Sequence, residues 1–288
     1  ITKVKVYNTK DIKAEKKNII QLYEAVSVEL GDTPFEIFYI NMSPAARSPR
    51  WLVYKHEPVA HEARYTCTED IEKYLGISFD DNEFDPEELI TAIEIVMPKL
   101  EKLYNSKVRH YVVKQHTLLV CRQFEKYAFE LNTKVMNIDL MRLVLAMHDI
   151  GKAIDRATQH IYTQSLIREF WSESPFTDYE LKLVEALLKD DHLGKFFQGK
   201  YDCNMLQEEI KKDAEELQID ASCLLQLKMV LYQCDIASYT KDAGGLRYLE
   251  HMFVYENNKK TFNEENGLLA MSADYWSRYK QLKSLIYE

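Results

Sequence analysis

The sequence predicts a mostly α-helical protein, a helical bundle with a smaller N-terminal α/β portion. Three observations predict it. Glycine and proline are scarce, at 8 and 7 of 288 residues. From Asp85 onward apolar residues recur at helical spacing almost without a break. The short runs rich in β-branched and aromatic residues are confined to the first sixty residues.

Taken in order, KVKVY, FEIFYI and RWLVYKH read as strands, with a helix between the first two from about Lys13 to Leu30, closed by Gly31. DPEELITAIEIV opens a helix with Pro86 near its start and apolar residues at Leu89, Ile93 and Val96. Pro98 should kink or restart it. A helix is expected from about Val108 to Leu131. Another runs from Ile138 to Ile150, with Gly151 as a left-handed cap. The TDYE run at Thr177–Glu180 is a capping box, opening a helix that Gly194 closes. Asp220 is the expected N-cap of the helix carrying DASCLLQLKMVLYQCDIASY. The chain is accordingly divided at residues 1–106, a possible specificity or partner region, and 107–288, a helical region with a C-terminal helical extension.

The totals narrow the function classes. Apolar content of 46% and charged content of 29% are ordinary for a globular domain. No apolar run approaches the ~20 residues of a membrane span, and ITKVKVYNTK lacks the apolar centre of a secretory signal. Five scattered cysteines without a C-x-x-C argue for reduced thiols in a cytoplasmic setting. A net charge of −9 argues against a non-specific nucleic-acid binder but permits a small anionic substrate met by local cations.

Against that background several polar residues fall on apolar stripes. His116 shares a face with Val112, Leu119 and Val120. Asp235 shares one with Leu227, Leu231 and Ser238, and Asp191 continues the line of Val184 and Leu187. The run LAMHDIGK ends a strongly apolar helix on His148 and Asp149. Each residue alone has a bland reading as a hydrogen-bonded core group or a cap. Together, His116, His148, Asp149 and Asp235 present two imidazoles and two carboxylates on inward faces of three helices. That donor set suits a divalent ion: Mn, Mg, Co, Ni, Zn or Fe. Neighbours on a helix diverge by ~100°, so His148 and Asp149 share an ion only if it sits over the helix end.

This ordered pattern, His116, then His148-Asp149, then Asp235, with the HDIGK run, resembles the HD superfamily of metal-dependent phosphohydrolases over roughly residues 107–245. The resemblance implies that His116, His148, Asp149 and Asp235 hold one metal and that Lys152 contacts phosphate. It implies hydrolysis of a small phosphorylated substrate, for instance a nucleotide, with Asp149 also orienting the attacking water. Members with a second metal carry further histidines before the last aspartate. Here the candidates are His160, Asp191 and His192, of which Asp191 and His160 are favoured for a second ion or for proton transfer. The spacing of His160 is shorter than in the signalling-nucleotide branch, the HPxxG-type element is absent, and DDHLG supplies one histidine rather than a pair. Arg156 and Lys195 are further phosphate-contact candidates. The cations between Arg47 and Arg64 read more readily as a solvated loop and hairpin face. Two alternatives stay open: a di-iron oxygenase of the same type, and a non-catalytic nucleotide- or protein-binding module.

Overall fold

The computed structural model describes residues 4–8, 35–40, 50–55, 65–79, 84–127, 136–245, 247–263 and 267–287. The expected helix at 13–30, with Gly31, lies outside them. The chain divides into two compact units, Ile1–Arg64 and Tyr65–Glu288.

In the first unit, β1 (Val4–Asn8), β2 (Phe35–Ile40) and β3 (Arg50–Lys55) form an antiparallel sheet in the order β1-β3-β2. Val4 faces Tyr54 and Phe35 faces Lys55 in its register. All three strands match the β-branched and aromatic runs of the sequence. Of the cationic stretch from Arg47 to Arg64, only the backbone of β3 is described.

The second unit is helical. It begins with α1 (Thr68–Leu75), α2 (Pro86–Val96) and α3 (Lys99–Tyr104). Asp85 caps α2 by accepting the Glu87 N–H, and Pro98 sits at the N-cap of α3. A division at 106/107 is therefore corrected to 64/65. Leu89, Ile90 and Ile93 of α2 and Leu100 and Tyr104 of α3 are fully buried in the same core as the later helices. Removing them would strip one side of that core.

The helix expected at 108–131 begins later. Lys107–Val108 (β4) and Tyr111–Val112 (β5) form a tight hairpin, with Arg109 at φ 55° in its two-residue turn. Only then does α4 (Val113–Tyr127) start. The next helix, α5 (Ile138–Met147), is capped by the Asn137 side chain and buried from Asp139 to Met147. A helix apolar nearly all round belongs in the interior. It is followed by a 3-10 turn at Ile150–Ala153, then α6 (Gln159–Ser172), α7 (Asp178–Leu188) and α8 (His192–Phe197). Next come α9 (Cys203–Leu217), α10 (Ala221–Ser238), small hairpins between residues 255 and 269, and α11 (Ala273–Tyr287). Helix α4 packs against both α5 and α10, and this three-helix contact is the scaffold of the site.

Two glycines act differently from the expectation. Gly151 is not among the residues with positive φ; its absent side chain lets α6 approach. A Cβ there would lie 2.2 Å from the Gln159 carbonyl oxygen and 2.6 Å from Thr163 Oγ1. Gly194 lies inside α8 rather than closing α7, which ends at Leu188, and a Cβ on it would lie 2.2 Å from Asp191 Oδ1. The capping box does form. Thr177 and Glu180 cap each other's backbone N–H groups. The fully buried Glu180 carboxylate also accepts the Thr66 N–H at 2.9 Å and the Thr66 hydroxyl at 2.7 Å. Asp220 stands at the N-cap of α10 without a side-chain cap bond.

None of the five cysteines, all among the described residues, is in a disulfide, and no helix among the described residues is long and apolar enough to cross a membrane.

Candidate metal centre

Three helix segments deliver the four ligand candidates. His116 lies in the first turn of α4, His148 caps the C-terminus of α5, and Asp235 lies in the last turn of α10. Asp149 follows His148 but leaves helical geometry, at φ −111° and ψ 3°. The bend at Asp149 answers the divergence of adjacent helical residues: both side chains reach one point over the helix end. The Gly151 N–H, which donates to Thr163 Oγ1 at 3.1 Å, holds the turn in place.

The contacts are close, and three of the four side chains, His116, His148 and Asp149, are buried. His116 Nε2 is 3.1 Å from Asp149 Oδ2 and 2.9 Å from Asp235 Oδ1. His148 Nε2 is 3.5 Å and 3.7 Å from the same two oxygens. One donor atom from each residue lies within 4.8 Å of every other. Bonds of about 2.0–2.2 Å to one ion would space the donors on this scale.

The outward nitrogens decide the tautomers. His148 Nδ1 lies 2.7 Å from the Leu145 carbonyl, which only accepts, so Nδ1 carries the proton. Ser238 Oγ donates to the Asp235 carbonyl at 2.6 Å and therefore accepts from His116 Nδ1 at 3.1 Å. In their neutral forms both rings then turn an Nε2 lone pair toward two carboxylates. Outer hydrogen bonds of this kind are what fixes metal-ligating histidines. Tyr239 offers His116 Nε2 a hydroxyl at 3.1 Å. His148 Nε2 and Asp235 Oδ1, however, are buried with no well-formed hydrogen bond. Lone pairs facing carboxylates without enough protons call for a cation, and the donor set fits a divalent metal.

The proton affinities carry the same signature. Burial disfavours charge on His116, yet Asp149 and Asp235 outweigh it and raise the ring to about 9. Burial also opposes ionisation of Asp149, but Lys152, His148 and His116 hold it below the usual carboxylate range. Asp235 is held well below it, chiefly by the two histidines against the same burial. The site therefore keeps both carboxylates ionised and draws in positive charge.

The other candidates divide into three groups. Lys152 is ion-paired with Asp149. It lines both an inner cavity of about 150 Å³, whose walls include His148, Asp149 and Asp235, and an outer cleft of about 940 Å³. His160 and Asp191 also line both spaces, outside the four-ligand cluster. Burial, helped by the Asp235 charge, pushes Asp191 up to about 6, and burial lowers His160. Arg156 and Lys195 line the outer cleft together with Arg109 and His110. His192 does not join this group. Its Nδ1 pairs with Glu209 at 2.8 Å, and its ring stacks on Tyr201 at 4.2 Å. Asp191 stands at the N-cap of α8, so its position owes nothing to the stripe of Val184 and Leu187.

Sequence reasoning missed the aromatic wall. Tyr239 stacks on His116 at 4.5 Å, and Tyr111 lies 5.1 Å from the same ring. Tyr239 is four residues after Asp235, a same-face spacing that could have revealed it. Nothing in the sequence marks Tyr111, which the β4–β5 hairpin brings in.

Comparisons with protein-family models, curated proteins and solved structures return no match. The functional reading rests on the geometry.

Proposed function

We propose that the protein is a metal-dependent phosphohydrolase that cleaves a small phosphate ester such as a nucleotide. The observation that carries this reading is the convergence of His116, His148, Asp149 and Asp235 on one point beside a cation-lined cleft. A divalent ion held there would lower the pKa of water and screen the phosphoryl oxygens. Lys152, Arg109, Arg156 and Lys195 would bind and orient the phosphate, whose negative charge matches their lining of the outer cleft. Asp191, with a proton affinity of about 6, suits proton exchange near neutral pH: its carboxylate would take the proton of the attacking water or return one to the leaving oxygen. Water oxygen bonds to phosphorus, the ester P–O bond breaks, and the products are an alcohol and a phosphate. Tyr239 and Tyr111 pack against the His116 ring and hold it toward the carboxylates.

The test is hydrolysis of a panel of nucleotides and phosphomonoesters with Mn²⁺, Mg²⁺, Co²⁺ or Ni²⁺, beside the Asp149→Ala variant. Phosphate release by the native chain, lost in the variant, is expected. If no ester is cleaved with any metal, the hydrolase reading falls. Iron near two equivalents per chain with substrate-dependent oxygen uptake would favour the oxygenase alternative instead.

A further inference from the structure

The inner cavity carries polar side chains that the proposed chemistry does not use. His148, Asp149 and Asp235 line it, and Leu206, Ile210 and Leu231 are among its apolar walls. Lys228 and Asp190 also line it. Lys228 lies on α10, two turns before Asp235, and is only 8% exposed. Its Nζ donates to the Ala186 carbonyl at 2.6 Å, and no carboxylate among the described residues lies within 4 Å of it. A buried ammonium without a counter-ion is costly to keep, and two of its three N–H donors remain for another acceptor. Burial accordingly lowers its proton affinity.

Its surroundings narrow the chemistry. Asp213, close by, is taken by Lys189, whose Nζ lies 2.7 and 2.6 Å from its two oxygens. Asp190 is less occupied: Oδ1 accepts the His192 N–H at 3.0 Å, while Oδ2 has His192 Nδ1 only at 3.6 Å, beyond hydrogen-bond range. The lining thus offers a strong donor, Lys228, and an acceptor with spare capacity, Asp190, whose charge acts on Lys228. The volume, about 150 Å³, equals that of an engineered apolar cavity that takes up a single benzene ring. A fused double ring is larger than that.

We propose that this cavity is a specificity site for a single six-membered ring with adjacent C=O and N–H groups, as in a uracil-type base, Lys228 donating to the carbonyl oxygen and Asp190 accepting the N–H. The proposal rests on the phosphoester reading for what lies beside His148, Asp149 and Asp235 in the cavity. It makes Lys228 and Asp190 specificity residues, remote from the reacting bond.

Calorimetric titration of the full chain with uridine, cytidine, adenosine and guanosine tests it without requiring turnover. Uridine should bind at least roughly tenfold more tightly than either purine nucleoside, as expected when a charged hydrogen-bond donor is matched rather than excluded. Cytidine should be weaker than uridine, because its ring nitrogen accepts where uracil donates. Lys228→Met should lose roughly tenfold or more in uridine affinity with the metal content unchanged. Equal binding of uridine and adenosine, or no uridine binding at millimolar concentration, overturns the proposal on the native chain alone, whether or not the variant folds. Phenyl phosphate hydrolysis by the native chain is measured in parallel. Turnover without ring preference sinks the specificity site and leaves the hydrolase; uridine preference without turnover does the reverse.

Discussion

Two clusters of histidine and carboxylate lie within α4–α10, and they differ in what their atoms lack. His116, His148, Asp149 and Asp235 are drawn together by three helices, with His148 Nε2 and Asp235 Oδ1 left without good hydrogen bonds. Asp190, His192 and Glu209 also place ligand atoms within 4.8 Å of one another, but each is partly exposed, and none has a side-chain ligand atom buried without a hydrogen bond. Glu209 accepts from His192 Nδ1 and from the Tyr201 hydroxyl, and Asp190 accepts the His192 backbone N–H. Proximity of ligand types is common to both. Of the two, only the first buries ligand atoms without a hydrogen bond, and that is what marks a candidate metal centre off from a surface ion-pair network.

The largest expected effect breaks the first cluster. Asp149→Ala should reduce bound metal per chain by more than about 100-fold in affinity, since it removes a ligand outright. Elemental analysis of purified protein reads this directly, and Glu209→Ala should leave the same number untouched. Equal losses in the two variants would erase the distinction between the clusters.

The next effect concerns the turn that aims Asp149. Gly151→Ala should cost roughly 1–3 kcal/mol or more in urea denaturation, because the added methyl meets the Gln159 backbone rather than a movable side chain. Gly76→Ala gives a contrast. Gly76 has free space around it and a φ of 70°, so its cost is backbone strain alone, about 1 kcal/mol.

Acidity gives a third comparison. His116 has a folded proton affinity raised to about 9 from an ordinary 6.5. A group raised on folding stabilises fully below its unfolded value and loses that contribution as pH rises through the folded one. The His116 contribution in metal-free protein should therefore decline between about pH 6.5 and 9. Comparing melting curves of metal-free protein and His116→Gln over that window isolates it; parallel curves would count against the coupling of His116 to Asp149 and Asp235. Metal-loaded protein should lack the decline, since the ion replaces the proton.

The smallest effect is at Tyr239. Tyr239→Phe removes one hydroxyl from beside His116 Nε2 and keeps the stacked ring, so metal content should hold while turnover falls by roughly tenfold or less, the scale of one hydrogen bond. Loss of metal in this variant would show the hydroxyl holding the ligand instead.

Much of the site was legible because helical periodicity is a strong signal. His116 and Asp235 stand among apolar neighbours at separations of three and four, and both are in the cluster. The capping box at Thr177–Glu180 forms as written, because its hydrogen bonds are local. What escaped was set by contacts distant in sequence. Gly151 reads as a helix stop, but its reason is Gln159 and Thr163 pressing from α6. The hairpin at 107–112 was absorbed into a helix because Val108, Tyr111 and Val112 suit either state at so short a length. The division at 106 failed because apolar helices carry no label for the core they join. Tyr111 and Lys228 were missed for the same reason: their role depends on which cavity they line.

By holding Thr66 through two hydrogen bonds while it caps α7, the Glu180 carboxylate bolts the start of the helical unit to a helix more than a hundred positions later. A chain trimmed to begin at Tyr65 would keep that bolt and all four ligands, which makes it the natural minimal fragment for spectroscopy and crystallisation. Thr66→Val would loosen the same fastening and should hasten protease nicking near the new start.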